Sequence, residues 1–183
     1  QYANGRTTGI SHDEMIAQAK HHLPSIFESD FQKVKKEAIE KGAVLAKRIR
    51  TSTDILSLDP KQMEPFLDAV IKEEPSIQLL TITNADGRQI TQVHTQRGEK
   101  GLFRALLKEN FTDHKWFRSV LETKEPYFSD LFFSKFTEEL IMTFAYPVTD
   151  ETGSVVAVID IDFKFDELTK LINALPNDVL DES

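Results

Sequence analysis

Two aspartates in "AVIDIDF", Asp160 and Asp162, carry the most pointed chemistry in this chain of 183 residues. On a strand, residues two apart project to the same sheet face, so both carboxylates stand among apolar neighbours on one side. A carboxylate buried there needs a partner, and it offers one to a cation or a hydrogen-bond donor. The pair could also imitate a general acid and base, yet nothing beside it in the sequence would activate a substrate. A strand end in solvent would explain Asp162 without any site.

The second concentration is "TDHKWFRSVLETKEPYFSD", Thr112 to Asp130, which holds the only Trp of the chain. It reads either as a lid over a small-molecule pocket or as an ordinary helix and loop packed on a sheet. Trp116 and Phe117 adjoin at a helix start, so one can enter the core while the other faces a cleft, and plain aromatic packing explains them equally. His114 reads as an exposed or locally bonded histidine. Tyr127 and Asp130 could line a pocket mouth or form a turn.

Other chemistry is thin. The chain has no Gly-rich phosphate loop, no G-x-S-x-G and no two-histidine metal spacing on an expected helix, and no cofactor is implied. His21 and His22 adjoin, which sends them to different faces. With no cysteine, disulfides, thiolate zinc sites and cysteine nucleophiles are excluded. The sequon "NFT" at Asn110 marks glycosylation by pattern alone.

Thirty acidic against 22 basic residues give a net charge of -8, the opposite of a nucleic-acid-binding surface. With 40% hydrophobic residues the chain can bury a real core as one domain plus an appendage. The longest apolar run, "VVAVI" at Val155 to Ile159, is strand-sized and far short of a membrane span. The chain starts at Gln1 with no signal peptide, which reads as a piece of a longer protein whose membrane anchors lie elsewhere.

The elements that must position these residues follow from periodicity. "SHDE" at Ser11 allows a capping box for a short helix, which Pro24 stops or kinks. Phe27, Phe31, Val34, Ala38, Leu45 and Ile49 then form one apolar stripe on a helix from Ser25 to Arg50, ~40 Å long, with Gly42 as its weak point. That stripe packs on the domain's own sheet, serves in part as a dimer seam, or does both at different ends. A second helix follows in "DPKQMEPFLDAVIKEEP", with Asp59 as cap, Pro60 in the first turn and Pro75 beyond the end.

From Ser76 the pattern turns to strands. "IQLLTIT" and "RQITQVHTQ" flank the turn "NADG" as a hairpin. After a crossover with helices in "GLFRALLKEN" and "KWFRSVLET" come "YFSDLFFS", "ELIMTFAYPV" and "SVVAVIDIDF", the last two joined at Gly153. "KFDELTKLINAL" closes the chain with Phe165, Leu168, Leu171 and Ile172 on one side. The fold class is therefore α+β, a five-stranded antiparallel sheet with the long helix on one face and the crossover on the other.

The order W-[FY], P-Y-x-S-D, P-V-x-D-x-x-G and D-I-x-[FL] in "DHKWFRSVLETKEPYFSDLFFSKFTEELIMTFAYPVTDETGSVVAVIDIDF", with "ITNADGRQI" before it, resembles the extracellular PAS-like single Cache sensor domains of bacterial chemoreceptors, histidine kinases and diguanylate cyclases. The resemblance implies a non-enzymatic module spanning residues 25–175, with an extension at 1–24 and a tail at 176–183 leading to a downstream segment. It implies a small-molecule pocket between sheet and crossover, coupled through terminal helices to a signalling domain, a homodimer through the long helix, and an extracytoplasmic position, with a cytoplasmic one as the alternative.

The family's amino-acid receptors use an Arg two places before a Trp-Tyr pair, then a Tyr and an Asp on the next strand, and an Asp on the last strand. Those positions fall here on His114, Trp116, Phe117, Phe132, Ser134 and Asp162, with Asp160 as the alternative to Asp162. Only the Trp and the last Asp are kept. A guanidinium grips a carboxylate bidentately where His114 cannot, which weighs against an α-amino acid. Phe117 and Phe132 add bulk and remove hydroxyls, so a ligand-free scaffold with a filled pocket is the rival reading.

Overall fold

The computed structural model describes residues 28–96, 110–134 and 137–173, with side chains from 32 to 170 within those spans. The expected helix at Ser11, the Pro24 kink, Phe27, the side chain of Phe31, the helix in "GLFRALLKEN" and the tail 176–183 lie outside the described residues. So do the side chains of Leu171 and Ile172.

The long helix is α1, Glu28–Arg50, and it runs unbroken through Gly42. Val34, Ala38, Leu45, Ala46 and Ile49 supply its buried stripe. Gly42 is a close-approach position, because a Cβ there would stand 2.5 Å from Phe144 Cδ2 and 2.8 Å from Tyr146 Oη. The low helix propensity of glycine is thus offset by a tighter seat on the sheet.

A short helix α2, Thr53–Leu56, is capped by Ser52, and α3, Pro60–Glu73, starts at the expected cap, where Asp59 accepts from the N–H of Lys61. Pro65 lies inside α3, at its sixth residue, where it supplies no N–H to the helix ladder. Lys41 and Arg48 of α1 form ion pairs with Glu74 and Glu73 at the end of α3.

β1, Ile77–Asn84, turns back at "NADG", where Asn84 Oδ1 accepts from the N–H groups of Asp86 and Arg88. Gly87 adopts φ +75°, and its position abuts Thr112 and Asn110. The return limb falls short of the expected strand. It pairs as an isolated bridge at Gln89 opposite Thr83 and as a two-residue β2, His94–Thr95. Its side chains fasten it instead: Thr91 Oγ1 accepts from the N–H of Ile82, and Gln96 Nε2 donates to three carbonyls at the end of α3 and the start of β1.

A 3₁₀ turn, Phe111–Asp113, leads into α4, Lys115–Thr123, which ends on Lys124 in the left-handed conformation. "YFSDLFFS" also departs from a single strand. It splits into β3, Tyr127–Phe128, and β4, Phe132–Phe133, both antiparallel to β5, Leu140–Thr149. The break falls at Ser129, whose hydroxyl accepts from the N–H of Thr143 and takes over a ladder position. β6, Val155–Lys164, pairs antiparallel with both β5 and β1, giving the order β2-β1-β6-β5 with β3 and β4 along the outer edge of β5. The closing helix is α5, Phe165–Asn173.

The two sheet faces bury different partners. On one face Leu80, Ile82, Phe144, Tyr146, Ile159 and Phe163 meet α1, α2, α3 and α5 in the main core. On the other, Ala145 and Val158 meet Phe111, Trp116, Phe117 and Val120. The α+β class and the two-sided antiparallel sheet stand as expected, with β3 and β4 replacing one strand.

Candidate functional site

The crossover face of the sheet is built in rows set by register. Thr95, Leu79, Asp162 and Thr143 stand side by side across β2, β1, β6 and β5. The next row is Thr81, Asp160, Ala145 and Tyr127. The third holds Gln89, Thr83, Val158 and Pro147. Asp160 and Asp162 therefore share one face, as their spacing requires, and lie mid-sheet rather than at a frayed end.

Their environments differ. Thr143 donates its hydroxyl to Asp162 Oδ1, while Asp160 is buried with Oδ1 lacking any hydrogen-bond partner. Loss of hydration pushes the Asp160 carboxyl well above the usual carboxylate range, and the charge of neighbouring Asp162 adds to this. Asp162 is half-buried, and loss of hydration raises it to about 6 against the opposing pull of the Thr143 hydroxyl. Neighbouring acids of this kind titrate as a pair.

Further unpaired polar groups share the face. The hydroxyls of Thr81 and Thr83 and both head atoms of Gln89 are buried with no partner. Buried polar atoms without partners are uncommon in folded proteins and ask for an explanation. On one sheet face beside two carboxyls, they make a polar floor suited to a hydrogen-bonding guest. Sequence reasoning missed these three, since threonine and glutamine on a strand carry no signal of their own and only cross-strand register sets them on the face of Asp160.

The aromatic residues form the wall. Phe117 is 1% and Trp116 8% exposed, and their rings meet edge to face at 5.8 Å. His114 caps α4 by position, and its ring lies 4.9 Å from Phe111 and 5.9 Å from Trp116. Tyr127 is half-buried beside Ala145, with Lys115 Nζ 5.9 Å from its ring centre. Phe132 stands opposite Ile141, one row beyond Asp162 on the same face, and is also half-buried.

Two of the expected residues lie elsewhere. Asp130 is exposed and paired at 3.3 Å with Lys35 of α1, which packs on the opposite sheet face. A single residue of offset in the β3–β4 break is enough to turn it away. Ser134 is buried in the bend before β5, where its N–H donates to the carbonyl of Glu139 and its Oγ accepts from the N–H of Thr137. The structure thus brings together Asp160, Asp162, Trp116, Phe117, Tyr127 and Phe132, sets His114 behind Trp116, and separates Asp130 and Ser134.

Among the described residues no group of three His, Cys, Asp or Glu side chains could hold a metal, and no helix is long and apolar enough to cross a membrane.

Comparison with known proteins gives this architecture relatives. A family model described as the first PDC sensor domain of methyl-accepting chemotaxis protein-like proteins matches residues 63–170. The sensory domain of the chemoreceptor Tlp3 of Campylobacter jejuni, solved with isoleucine bound, superposes with a TM-score of 0.51 at 12% identity, over 92% of this chain and 69% of that one. The ligand-binding domain of PctC of Pseudomonas aeruginosa, in complex with GABA, gives 0.53 at 16% identity, over 86% of this chain and 69% of that one. An extracellular ligand-binding receptor from Desulfohalobium retbaense gives 0.51 at 14% identity over 88% of this chain. A curated protein named citrate (Re)-synthase, from Syntrophus aciditrophicus, is 27% identical over 176 residues, which are 93% of this chain. The chain spans only 26% of the Desulfohalobium receptor and 27% of that synthase, so those names describe much longer proteins.

Proposed function

Since the chain belongs to the methyl-accepting chemotaxis protein-like first PDC sensor domain family, we propose that it senses a small molecule bearing a cationic or hydrogen-bond-donating head on an apolar body, held between the sheet and α4. The observation that carries this reading is the buried carboxyl of Asp160, unpartnered at Oδ1 and one row from Asp162. An ammonium group entering there would favour the ionised carboxyls and so displace protons from them. The apolar body would lie along Trp116, Phe117, Tyr127 and Phe132. Relatives solved with isoleucine and with GABA hold amine-bearing molecules, which fits a carboxyl floor.

The signal would leave through α1 and α5, the first and last helices among the described residues, which pack against each other on the far face. In the full protein we place the domain outside the cytoplasmic membrane, anchored by segments beyond this chain and joined to a signalling domain, with α1 also serving as the seam of a homodimer.

A second reading, a scaffold with a filled pocket, draws on the dense packing of Phe117 against Ala145 and Val158. Thermal-shift and calorimetric screens of amines, amino acids, carboxylates and purines separate the two. A hundredfold excess of ligand over its dissociation constant stabilises by ~2.7 kcal/mol. We expect an amine to stabilise the protein, to release protons on binding, and to lose its effect in Asp162→Ala. Stabilisation by carboxylates alone, or by nothing, moves the assignment to the second reading or to a different contact.

A further inference from the structure

The polar floor does not stop at the two acids. From Asp160 it passes to Thr81 directly opposite on β1, then to Thr83 one row along the same strand, and across to Gln89 in the return limb of the hairpin. Thr81 is 1% and Thr83 0% exposed, and neither hydroxyl has a partner. Gln89 leaves more open, because its Nε2 and its Oε1 are both buried and both unpartnered. A buried carboxamide with neither donor nor acceptor satisfied is costly. Gln96, on the same limb, spends its Nε2 on three carbonyls.

This end of the floor is held in place. Phe111 donates its N–H to the carbonyl of Gly87 at 2.9 Å, and Asn110 bridges Arg88, so the turn that leads into α4 is tied to the hairpin just before Gln89. The three rows of the floor hold two acids and no Lys, Arg or His. Lys115 stands at the other edge of the sheet, by Tyr127, and Arg88 is exposed. Gln89 lies two strands and one row from Asp160, roughly 12 Å between backbone positions.

We propose that Thr81, Thr83 and Gln89 form a second subsite, which reads an uncharged carboxamide at the end of the ligand remote from its ammonium. The inference rests on the amine reading of the Asp160 end and extends it to the rest of the molecule. Its chemistry follows from what Gln89 leaves open. A carboxamide guest offers an N–H to Oε1 and a carbonyl to Nε2 together, and the threonine hydroxyls take either role. A carboxylate would satisfy Nε2 alone, and it would bring a further negative charge to a floor that already carries two acids and no cation. A second ammonium would satisfy Oε1 alone. The ligand class is therefore an extended primary amine ending in an uncharged amide, the two joined by an apolar spacer.

Calorimetry with a series matched in length tests this: hexylamine, ε-aminocaproamide, ε-aminocaproic acid and hexamethylenediamine. The amide should bind about tenfold or more tighter than hexylamine, and the acid and the diamine should gain less. Gln89→Met, which keeps the volume and removes the amide, should abolish that preference. Thr83→Val, which removes one hydroxyl at nearly constant volume, should reduce it. Asp162→Ala should weaken the whole series while the amide stays ahead of hexylamine. Equal binding of hexylamine and the amide, or a preference that survives undiminished in both Gln89→Met and Thr83→Val, would overturn the subsite and leave the amine reading standing. Failure of every amine in the series to bind would overturn both.

Discussion

The hydroxyl of Thr143 donates to Asp162 Oδ1 from the position directly opposite on the neighbouring strand. Asp160, one row along, faces Ala145 on that side and Thr81 on the other and finds no donor for Oδ1. Strand register, rather than the acids themselves, makes the two carboxyls unequal.

Thr143→Val removes that donor at nearly constant volume. A hydrogen bond to a charged group contributes ~1.5–3 kcal/mol, so the variant should lose about that much at pH values above the Asp162 titration and less below it, where the carboxyl is neutral. Urea denaturation in both ranges measures it, and equal losses would refute the assignment of charge to Asp162.

The carboxyls of Asp160 and Asp162 are raised in the folded state, so the native protein binds protons more tightly than the unfolded chain. Their contribution to stability is therefore best below the unfolded carboxylate range and declines as pH rises, through about 6 for Asp162. Asp160→Asn removes a charge without a partner and should stabilise the protein by at least ~1 kcal/mol at neutral pH, with little change in acid, while weakening the binding of an amine. Thermal melts against pH would show the flattening; a destabilised variant at neutral pH would mean that a partner for Asp160 has been missed.

Gly42→Ala sets helix propensity against packing. Alanine favours the helix by ~1 kcal/mol, but its Cβ would press on Phe144 and Tyr146, and overpacking costs ~1–3 kcal/mol. Net destabilisation is expected, with partial recovery in a Phe144→Leu background. A stabilised single variant would mean that α1 can lift off β5 freely.

Val44 is 70% exposed on α1. If the outer face of this helix is the homodimer seam, Val44→Glu should shift sedimentation toward monomer at high protein concentration without lowering the melting temperature of the monomer. A wild-type protein that sediments as a monomer throughout would remove the dimer proposal.

Much of this protein was legible in local pattern. The apolar stripe of α1, the Asp59 cap and Pro60 of α3, the "NADG" turn and the shared parity of Asp160 and Asp162 all follow from periods of 3.6 and 2.0 and from the conformational limits of single residues. These features depend on near neighbours in the chain, so they survive in the sequence. Even the family's motif order could be read this way.

Tertiary structure alone decided what stands beside what. Gly42 reads as a helix breaker until β5 is brought under it, and His94 reads as an ordinary strand residue until α3 lays Glu64 and Asp68 against its ring. Asp130 left the expected site because the β3–β4 break turns it toward Lys35, and Thr81, Thr83 and Gln89 joined the site only through cross-strand register. Register and break positions are set by long-range pairing and side-chain competition for ladder bonds, as with Ser129 and Thr143. A one-residue slip in either reverses which face a side chain meets, and no local propensity records that choice.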